Sequence, residues 1–161
     1  MAVQILKALA PVRVIAVDRS PEKLELARSV GADIAIPSDD QARAALREAI
    51  GGRRASLVLD FVGIDATLTL AASIVELGGR IVVLGAANGV LPWKFAGMPL
   101  EATLTTSYWG NLNELREVVA LAEQGHIRVR TQRFTLAQTA EAYHLLEAGK
   151  IEGRAVVTPN D

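Results

Sequence analysis

Aspartates and small residues stand where several short apolar runs of the sequence end. The first run ends at Asp18, the second at Asp60 with Gly63 after it, and the third at Leu84 and Gly85. A carboxylate can accept hydrogen bonds from two neighbouring hydroxyl groups of a sugar, and a glycine lets backbone approach a flat ring closely. These residue types indicate ligand binding, provided that the elements before them bring the ends of the runs together.

Each of these residues also has a purely structural interpretation. Asp18 could lie in a solvated turn or help to cap the next helix, because aspartate favours both positions. Gly63 and Gly85 could be ordinary turn glycines. Taken singly, the three signals are weak, and only their repetition at successive strand ends favours a binding site.

The elements that must position these residues alternate between short apolar runs and longer helical periods. The β-branched run before Asp18 is typical of a buried strand, and Ser20-Pro21 is typical of a helix start. Strands are predicted over 12–17, 32–36, 56–60, 80–84, 103–107 and 154–158, and helices over 2–9, 21–30, 41–50, 65–77, 113–124 and 136–148. Residues 86–101 resemble a loop.

Strands that alternate with helices and are almost continuously apolar predict an α/β fold, a doubly wound parallel sheet with helices on both faces. We expect one domain over residues 1–161. Such sheets bind ligands at the carboxyl ends of their strands, which is where the candidate residues stand.

In a dinucleotide-binding sheet, Asp18 would accept hydrogen bonds from both hydroxyls of the adenosine ribose and repel a 2′-phosphate, which favours NAD over NADP. Arg19 complicates this preference, and we expect it over the adenine or in solvent.

Composition excludes several other kinds of protein. The chain has 161 residues, a formal charge of −1 and no cysteine, which rules out a disulfide scaffold, a cysteine zinc site and a thiol nucleophile. The near-neutral charge favours neither nucleic acid nor an anionic membrane as a partner. We find no apolar run of about 18 residues and expect a cytoplasmic protein. His126 and His144 lack partners at metal-ligand spacing, so we expect structural positions for both.

Five segments in order resemble one known family. They are VIAVDRSPEKLELARSVGAD, LVLDFVG, ELGGRIVVLGAANG, SYWGNLNELREVVALAEQGHI and KIEGRAVV, and together they cover essentially the whole chain. The sequence resembles the cofactor-binding domain of the zinc-dependent medium-chain alcohol dehydrogenases. The resemblance implies a Rossmann-type sheet, truncated at its N-terminus, and an NAD-binding oxidoreductase.

The resemblance also implies a role in NAD binding for particular residues. Asp18 matches the acidic residue that binds the adenosine ribose, and Lys23 matches a basic residue that reaches the same ribose. Arg154 matches the arginine that contacts the pyrophosphate of the cofactor. Without the resemblance, we would interpret Lys23 and Arg154 as solvated charges. Three further segments match stretches along the cofactor: Phe61, Val62 and Gly63 beside the adenosine half, Leu84, Gly85 and Ala86 at the nicotinamide carboxamide, and Ser107, Tyr108 and Trp109 on its other side.

Two parts of the family protein have no counterpart in this sequence. One is a first strand with its G-x-G-x-x-G turn, and the other is the catalytic domain that carries the zinc. We therefore expect zinc only in that other domain, weakened NAD binding, and no activity from this chain alone. The strands 12–17 and 56–60 would lose a shared neighbour. They could pair directly, borrow a strand from another subunit, or belong to a fragment of a longer protein.

Self-association is the partner interaction that we expect from this arrangement. A homo-oligomer would form through the segment 91–110 and the exposed strand edges, and the resemblance implies that the stretch around Tyr108 pairs between subunits. Two alternatives stay open at this point. The chain could be a non-enzymatic Rossmann-like module for oligomerisation. It could also resemble a class I methyltransferase, although DFVG lacks the polar motif expected there.

Overall fold

The computed structural model describes residues 1–159, and every strand pairing in that range is parallel. The helices are α1 (Ala2–Leu9), α2 (Pro21–Ser29), α3 (Ala42–Ala49), α4 (Asp65–Ile74), α5 (Leu112–Glu123) and α6 (Thr139–Glu147), with a 3-10 turn at Leu136–Gln138. The strands are β1 (Ile15–Asp18), β2 (Ile34–Pro37), β3 (Ala55–Asp60), β4 (Val75–Val83), β5 (Thr103–Thr106), β6 (Thr131–Thr135) and β7 (Arg154–Thr158). The predicted α/β fold with parallel strands is confirmed.

Hydrogen bonding divides these strands into three sheets. β1 pairs with β2, β4 lies between β3 and β5, and β6 pairs with β7. Val58 of β3 faces Ile81 of β4, and Ile81 faces Leu104 of β5, so the ends of these three strands lie in register along one edge. That edge carries the residues after β3, β4 and β5.

β1 and β3 are not hydrogen-bonded to each other, although their side chains share a hydrophobic cluster. Ile15, Val17 and Val58 all pack against buried side chains of β2, α3 and α4, namely Ile36, Leu46 and Ile74. Each of the two strands therefore has one edge without a strand partner among residues 1–159. Direct pairing, one of the three expected outcomes, does not occur.

The predicted boundary between α4 and β4 is wrong by several residues. The helix ends at Ile74 instead of residue 77, because Val75 is already extended and pairs with Ala55. The Arg54 guanidinium donates to the Val75 carbonyl at 3.1 Å. The register then shifts before Leu57 meets Arg80, so that the residues between Val75 and Arg80 bulge out of the ladder.

Burial is concentrated where α4 packs on β4. The central cluster consists of Leu68, Ala71, Ala72, Val75, Ile81 and Val83. By contrast, α1 and α5 bury no residue, and β5 is exposed along its whole length. The core therefore stabilises the β3–β4 region most strongly, and this is the region on which the candidate site is built.

Candidate functional site

Asp18 closes β1 and begins the turn into α2. Its Oδ1 accepts the backbone N–H of Ser20 at 3.0 Å, and Ser20 in turn caps the helix by accepting the N–H of Lys23 at 3.2 Å. The Ser20 hydroxyl also donates to Glu22, which lowers the pKa of that carboxyl. Asp18 is half-buried, and its Oδ2 accepts no hydrogen bond from residues 1–159. One carboxylate oxygen is thus fixed by the turn, and the other is available to a ligand.

Arg19 and Lys23 flank this carboxylate from the turn and the first turn of α2. Both residues are exposed, and neither side chain forms an ion pair within the described part of the chain. The exposure of Arg19 is compatible with both expected positions, over the adenine or in solvent, and the choice between them stays a prediction. The contact of Lys23 with a ribose stays a prediction.

Asp60, at the end of β3, is the buried counterpart of Asp18. Its Oδ1 accepts the N–H groups of Val62 at 2.9 Å and Gly63 at 3.0 Å, and its Oδ2 accepts the Thr67 hydroxyl at 2.7 Å. The Asp60 carbonyl also accepts the N–H of Leu84 at 2.7 Å. Asp60 therefore holds the loop after β3 against the loop after β4.

Sequence reasoning missed this role of Asp60 and Thr67. The signal was present, because an aspartate at the end of an apolar run with a threonine seven residues later matches a strand end and the first turn of the next helix. The threonine at that position can reach back to the aspartate. We named Asp60 only as a strand end.

Gly63 and Gly85 are needed because the two loops pack backbone against backbone. Gly63 has a φ of +75°, and a Cβ there would lie 2.5 Å from the Gly85 carbonyl oxygen. A Cβ on Gly85 would collide with the backbone of Val62, and one on Gly89 would lie 2.5 Å from the Gly63 oxygen. The packing of the two loops thus explains why these positions are glycines. The close approach of their backbone to a flat ring of a ligand stays a prediction.

Phe61, Val62, Leu84 and Ala86 leave their side chains exposed around these packed loops. The neighbouring strand β5 continues through Ser107, whose N–H donates to the Val83 carbonyl at 3.0 Å. The structure therefore brings the three predicted segments after β3, β4 and β5 to one edge of the sheet.

Tyr108 and Trp109 are the aromatic residues at this edge. Their rings meet edge to face with centroids 5.0 Å apart, and both side chains are more than three-quarters exposed, at 76% and 85%. Trp109 has a φ of +65°, a left-handed conformation that costs a bulky residue on the order of 1 kcal/mol or more. An exposed aromatic pair held in a strained conformation is typical of a binding or contact surface.

Arg154 lies apart from the other candidate residues. It begins β7, and its N–H donates to the Arg130 carbonyl at 2.9 Å. The main packing partners of β7 are β6, the 3-10 turn and α6, not the strands that carry the other candidates. Among residues 1–159, Arg154 forms no hydrogen bond or ion pair with Asp18 or with the residues after β3, β4 and β5, and its role on a pyrophosphate stays a prediction.

Comparison with known proteins places these features in one family. Residues 1–124 match the family of zinc-binding dehydrogenases. The chain belongs to this family. Over 98% of its length it is 34% identical to the NAD-dependent alcohol dehydrogenase of Sulfolobus acidocaldarius, of which it covers 46%. Over 98% of its length it is 29% identical to the D-arabinose 1-dehydrogenase (NADP(+)) of Saccharolobus solfataricus, of which it covers 45%.

The structure is similar to that of the alcohol dehydrogenase from the hyperthermophilic archaeon Aeropyrum pernix. With this alcohol dehydrogenase it shares a TM-score of 0.88 and 34% sequence identity, over 98% of this chain and 46% of that one. The Rossmann-type fold and the family resemblance are therefore confirmed, and the family assignment favours a dehydrogenase over a methyltransferase. The chain spans about half the length of the relatives that it matches.

Metal-ligating side chains are not gathered into a metal site in the described part of the chain. Among residues 1–159, no three His, Cys, Asp or Glu side chains are grouped so that they could hold a metal ion. His126 and His144 both lie at the surface, and His144 Nδ1 is 3.9 Å from Glu147 Oε2. In the same range, no helix has the length and apolar character needed to cross a membrane.

Proposed function

We propose that this chain is the NAD-binding part of an alcohol dehydrogenase-type oxidoreductase and that Asp18 binds the adenosine ribose. The position of Asp18 carries the proposal. It stands at the carboxyl end of β1 with Oδ1 fixed by Ser20 and Oδ2 free of partners in residues 1–159. A carboxylate oriented in this way is preorganised to accept hydroxyl donors, since its turn holds it in place before any ligand arrives.

The same carboxylate supports a preference for NAD over NADP. A 2′-phosphate on the ribose would bring a second negative charge against Asp18, whereas two hydroxyls would donate to it. The relatives include one protein named for NAD and one named for NADP(+), so the family alone does not decide the cofactor. Arg19 is exposed and unpaired within the described residues, and it is the side chain that would moderate the preference.

The rest of the cofactor would cross the loop edge formed after β3, β4 and β5. Phe61 and Val62 offer exposed apolar surface to the adenosine half, and Leu84 and Ala86 offer it farther along the edge. Asp60 and the packed glycines hold these loops in a fixed relation, so that a dinucleotide would meet a formed surface. NAD, when bound, supplies the carbon that accepts or donates a hydride.

We propose that hydride transfer belongs to the whole protein, between NAD and an alcohol, aldehyde or ketone. The relatives named as alcohol dehydrogenases are about twice as long as this chain. The zinc that the family name implies finds no group of three candidate ligands among residues 1–159. We therefore expect the chain alone to bind cofactor without turning over substrate.

Titration calorimetry with NADH tests the assignment of Asp18. Replacing Asp18 by alanine removes the ribose acceptor, so we expect about tenfold or greater loss of affinity, since one hydrogen bond to a charged group contributes about 1.5–3 kcal/mol. Asp39→Ala is the matched control, because Asp39 Oδ1 accepts the N–H of Gln41 at 2.9 Å in the same type of turn. Equal NADH affinity in wild type and Asp18→Ala would contradict the proposal.

NADPH provides the second arm of this experiment. The wild-type chain should bind NADPH more weakly than NADH, and Asp18→Ala should narrow the difference because the repulsion of the 2′-phosphate is removed. If the ratio of NADH to NADPH affinity is the same in Asp18→Ala and wild type, Asp18 does not contact the ribose.

We propose in addition that the chain self-associates through residues 91–110. Trp93 and Phe95 are 75% and 82% exposed, and Tyr108 and Trp109 add a second aromatic surface to the same segment. Large apolar side chains grouped in one exposed segment favour burial against another protein surface. A non-enzymatic module for oligomerisation would share this feature, but it would not bind NADH.

Sedimentation velocity at micromolar concentration tests self-association. We expect a dimer or larger species in the wild type and a shift towards monomer for Trp93→Ser combined with Phe95→Ser. Val129→Ser, which changes an exposed apolar residue outside the segment, serves as the control. A single monomeric species in the wild type would contradict the proposal. Self-association without any NADH binding would favour the oligomerisation module.

A further inference from the structure

A cavity of about 200 Å³ lies between the ends of α3 and α4 and the segment that leads into β3. Its walls include Arg47 from α3, Arg53 and Arg54 from the segment before β3, and Ser73 from the last turn of α4. A second, larger space of about 450 Å³ shares Arg47, Arg54 and Ser73. The cavity therefore opens where these arginines meet.

The charge around this cavity has one sign. Three guanidinium groups line it, whereas no aspartate or glutamate does. None of the three arginines takes part in an ion pair within residues 1–159. All three arginines are exposed, so water and salt screen their mutual repulsion, and a bound anion would supply the counter-charge that the cavity walls lack.

Helix capping explains only part of this arrangement. Arg54 Nη1 donates to the Ser73 carbonyl at 3.2 Å and the Val75 carbonyl at 3.1 Å, and Arg53 Nε donates to the Ile50 carbonyl at 3.4 Å. These bonds satisfy the last carbonyls of α4 and α3. They leave the other nitrogens of Arg54 free, and the Arg47 side chain has no hydrogen bond among the described residues. The caps thus fix two of the guanidiniums and leave donors for a ligand.

We infer that this cavity binds a phosphate-type oligoanion, such as pyrophosphate or the phosphates of a nucleotide. A guanidinium donates two parallel hydrogen bonds to phosphate oxygens, and a preoriented guanidinium loses little entropy in doing so. A volume of about 200 Å³ is more than ten times the roughly 10–15 Å³ that a cavity needs to hold one water molecule, so a phosphate group fits. The site lies before β3, whereas the proposed NAD site lies after the strand ends.

Isothermal titration of the purified chain with pyrophosphate, against sulfate at equal ionic strength, tests this site. We expect pyrophosphate to bind more tightly than sulfate. Arg47→Gln and Arg53→Gln should each weaken it about tenfold, which is the loss expected for one hydrogen bond to a charged group. Arg43→Gln is the matched control, because Arg43 lies one turn earlier on α3, is exposed and does not line the cavity. Urea unfolding of each variant checks that the fold is retained.

Two further binding measurements show whether the two sites are separate and which ligand the cavity prefers. Asp18→Ala should leave pyrophosphate affinity unchanged, and Arg47→Gln should leave NADH affinity unchanged, because the two sites are separate. ADP that binds tighter than pyrophosphate and still depends on Arg47 would identify a nucleotide, whereas equal affinities would identify the anion alone. Binding of pyrophosphate no tighter than sulfate, or an equal loss in Arg43→Gln, would overturn the inference.

Discussion

Two aspartates end parallel strands in this molecule, and their carboxylates differ in how many hydrogen bonds they accept from the protein. Asp18 is half-buried after β1 and accepts one backbone N–H. Asp60 is 6% exposed after β3, and both of its oxygens accept hydrogen bonds from the protein. The comparison shows that a carboxylate at a strand end is available to a ligand only when the following loop does not use both of its oxygens.

The largest expected effect is the loss of stability in Asp60→Ala. The variant leaves the N–H groups of Val62 and Gly63 without their acceptor, and each unsatisfied buried group costs about 1–3 kcal/mol. The Thr67 hydroxyl loses Asp60 but can still donate to the Ile64 carbonyl at 3.0 Å. We expect the free energy of unfolding in urea to fall by about 2–5 kcal/mol. Asp60→Asn, which keeps one acceptor oxygen, should lose about 1 kcal/mol. Equal stability of Asp60→Ala and wild type would contradict the structural role of the Asp60 carboxylate, which is what distinguishes it from Asp18.

A smaller but still large loss is expected when the contact between the two loops is disturbed. In Gly85→Ala the new methyl group would meet the Val62 backbone, which cannot rotate away as a side chain can. Overpacking of this kind costs about 1–3 kcal/mol. In the control Gly110→Ala, the new Cβ would lie 3.2 Å from Glu114 Oε2. That oxygen accepts the Asn111 N–H but ends an exposed side chain that can shift, so thermal unfolding should change less than in Gly85→Ala. A similar decrease in melting temperature in both variants would show that the contact between the loops after β3 and β4 does not contribute more to stability than an exposed glycine position.

Asp18→Ala should alter stability only slightly. It removes one partly exposed hydrogen bond, which contributes about 1 kcal/mol, and Asp39→Ala removes its equivalent after β2. The two variants should therefore have similar unfolding midpoints in urea while differing in NADH affinity. A loss of stability in Asp18→Ala comparable to that in Asp60→Ala would assign Asp18 a structural role.

The smallest effect concerns a third aspartate, which precedes β2. Asp33 Oδ2 accepts Lys7 Nζ at 2.6 Å and the N–H of Val14 at 2.7 Å, and the Lys7 hydrogen bond holds the pKa of this carboxyl below its ordinary value of 3.8. Because the folded pKa is the lower one, the stabilisation is present above pH 3.8 and is lost as the pH falls through the folded pKa.

Thermal unfolding across the acid range checks this dependence. The wild-type melting temperature should fall more steeply below pH 3.8 than that of Asp33→Asn, which has no charge to lose. Parallel curves for the two proteins would contradict the contribution of Asp33. Asp18→Asn provides the comparison with an aspartate that has no lysine partner.

Much of the fold was predictable because burial in α/β proteins follows local patterns. The β-branched run before Asp18, the apolar run before Asp60 and the Ser20-Pro21 helix start were all recognisable in the sequence. The end of α4 was not, because the residues after Ile74 have helical periodicity but Val75 pairs with Ala55, which is distant in the sequence. The division into three sheets also depends on pairings between distant residues.

The sequence by itself determined the α/β class, the family and the placing of aspartates and glycines at strand ends, because these depend on residue type and local periodicity. Only the tertiary structure decided how each residue is used. Gly63 and Gly85 must lack a Cβ because their loops pack backbone against backbone. The loop after β3 donates hydrogen bonds to the Asp60 carboxylate. The side chains of Arg47, Arg53 and Arg54 line one cavity. The physical reason is that packing and hydrogen-bond satisfaction are set by neighbours that are far apart along the chain.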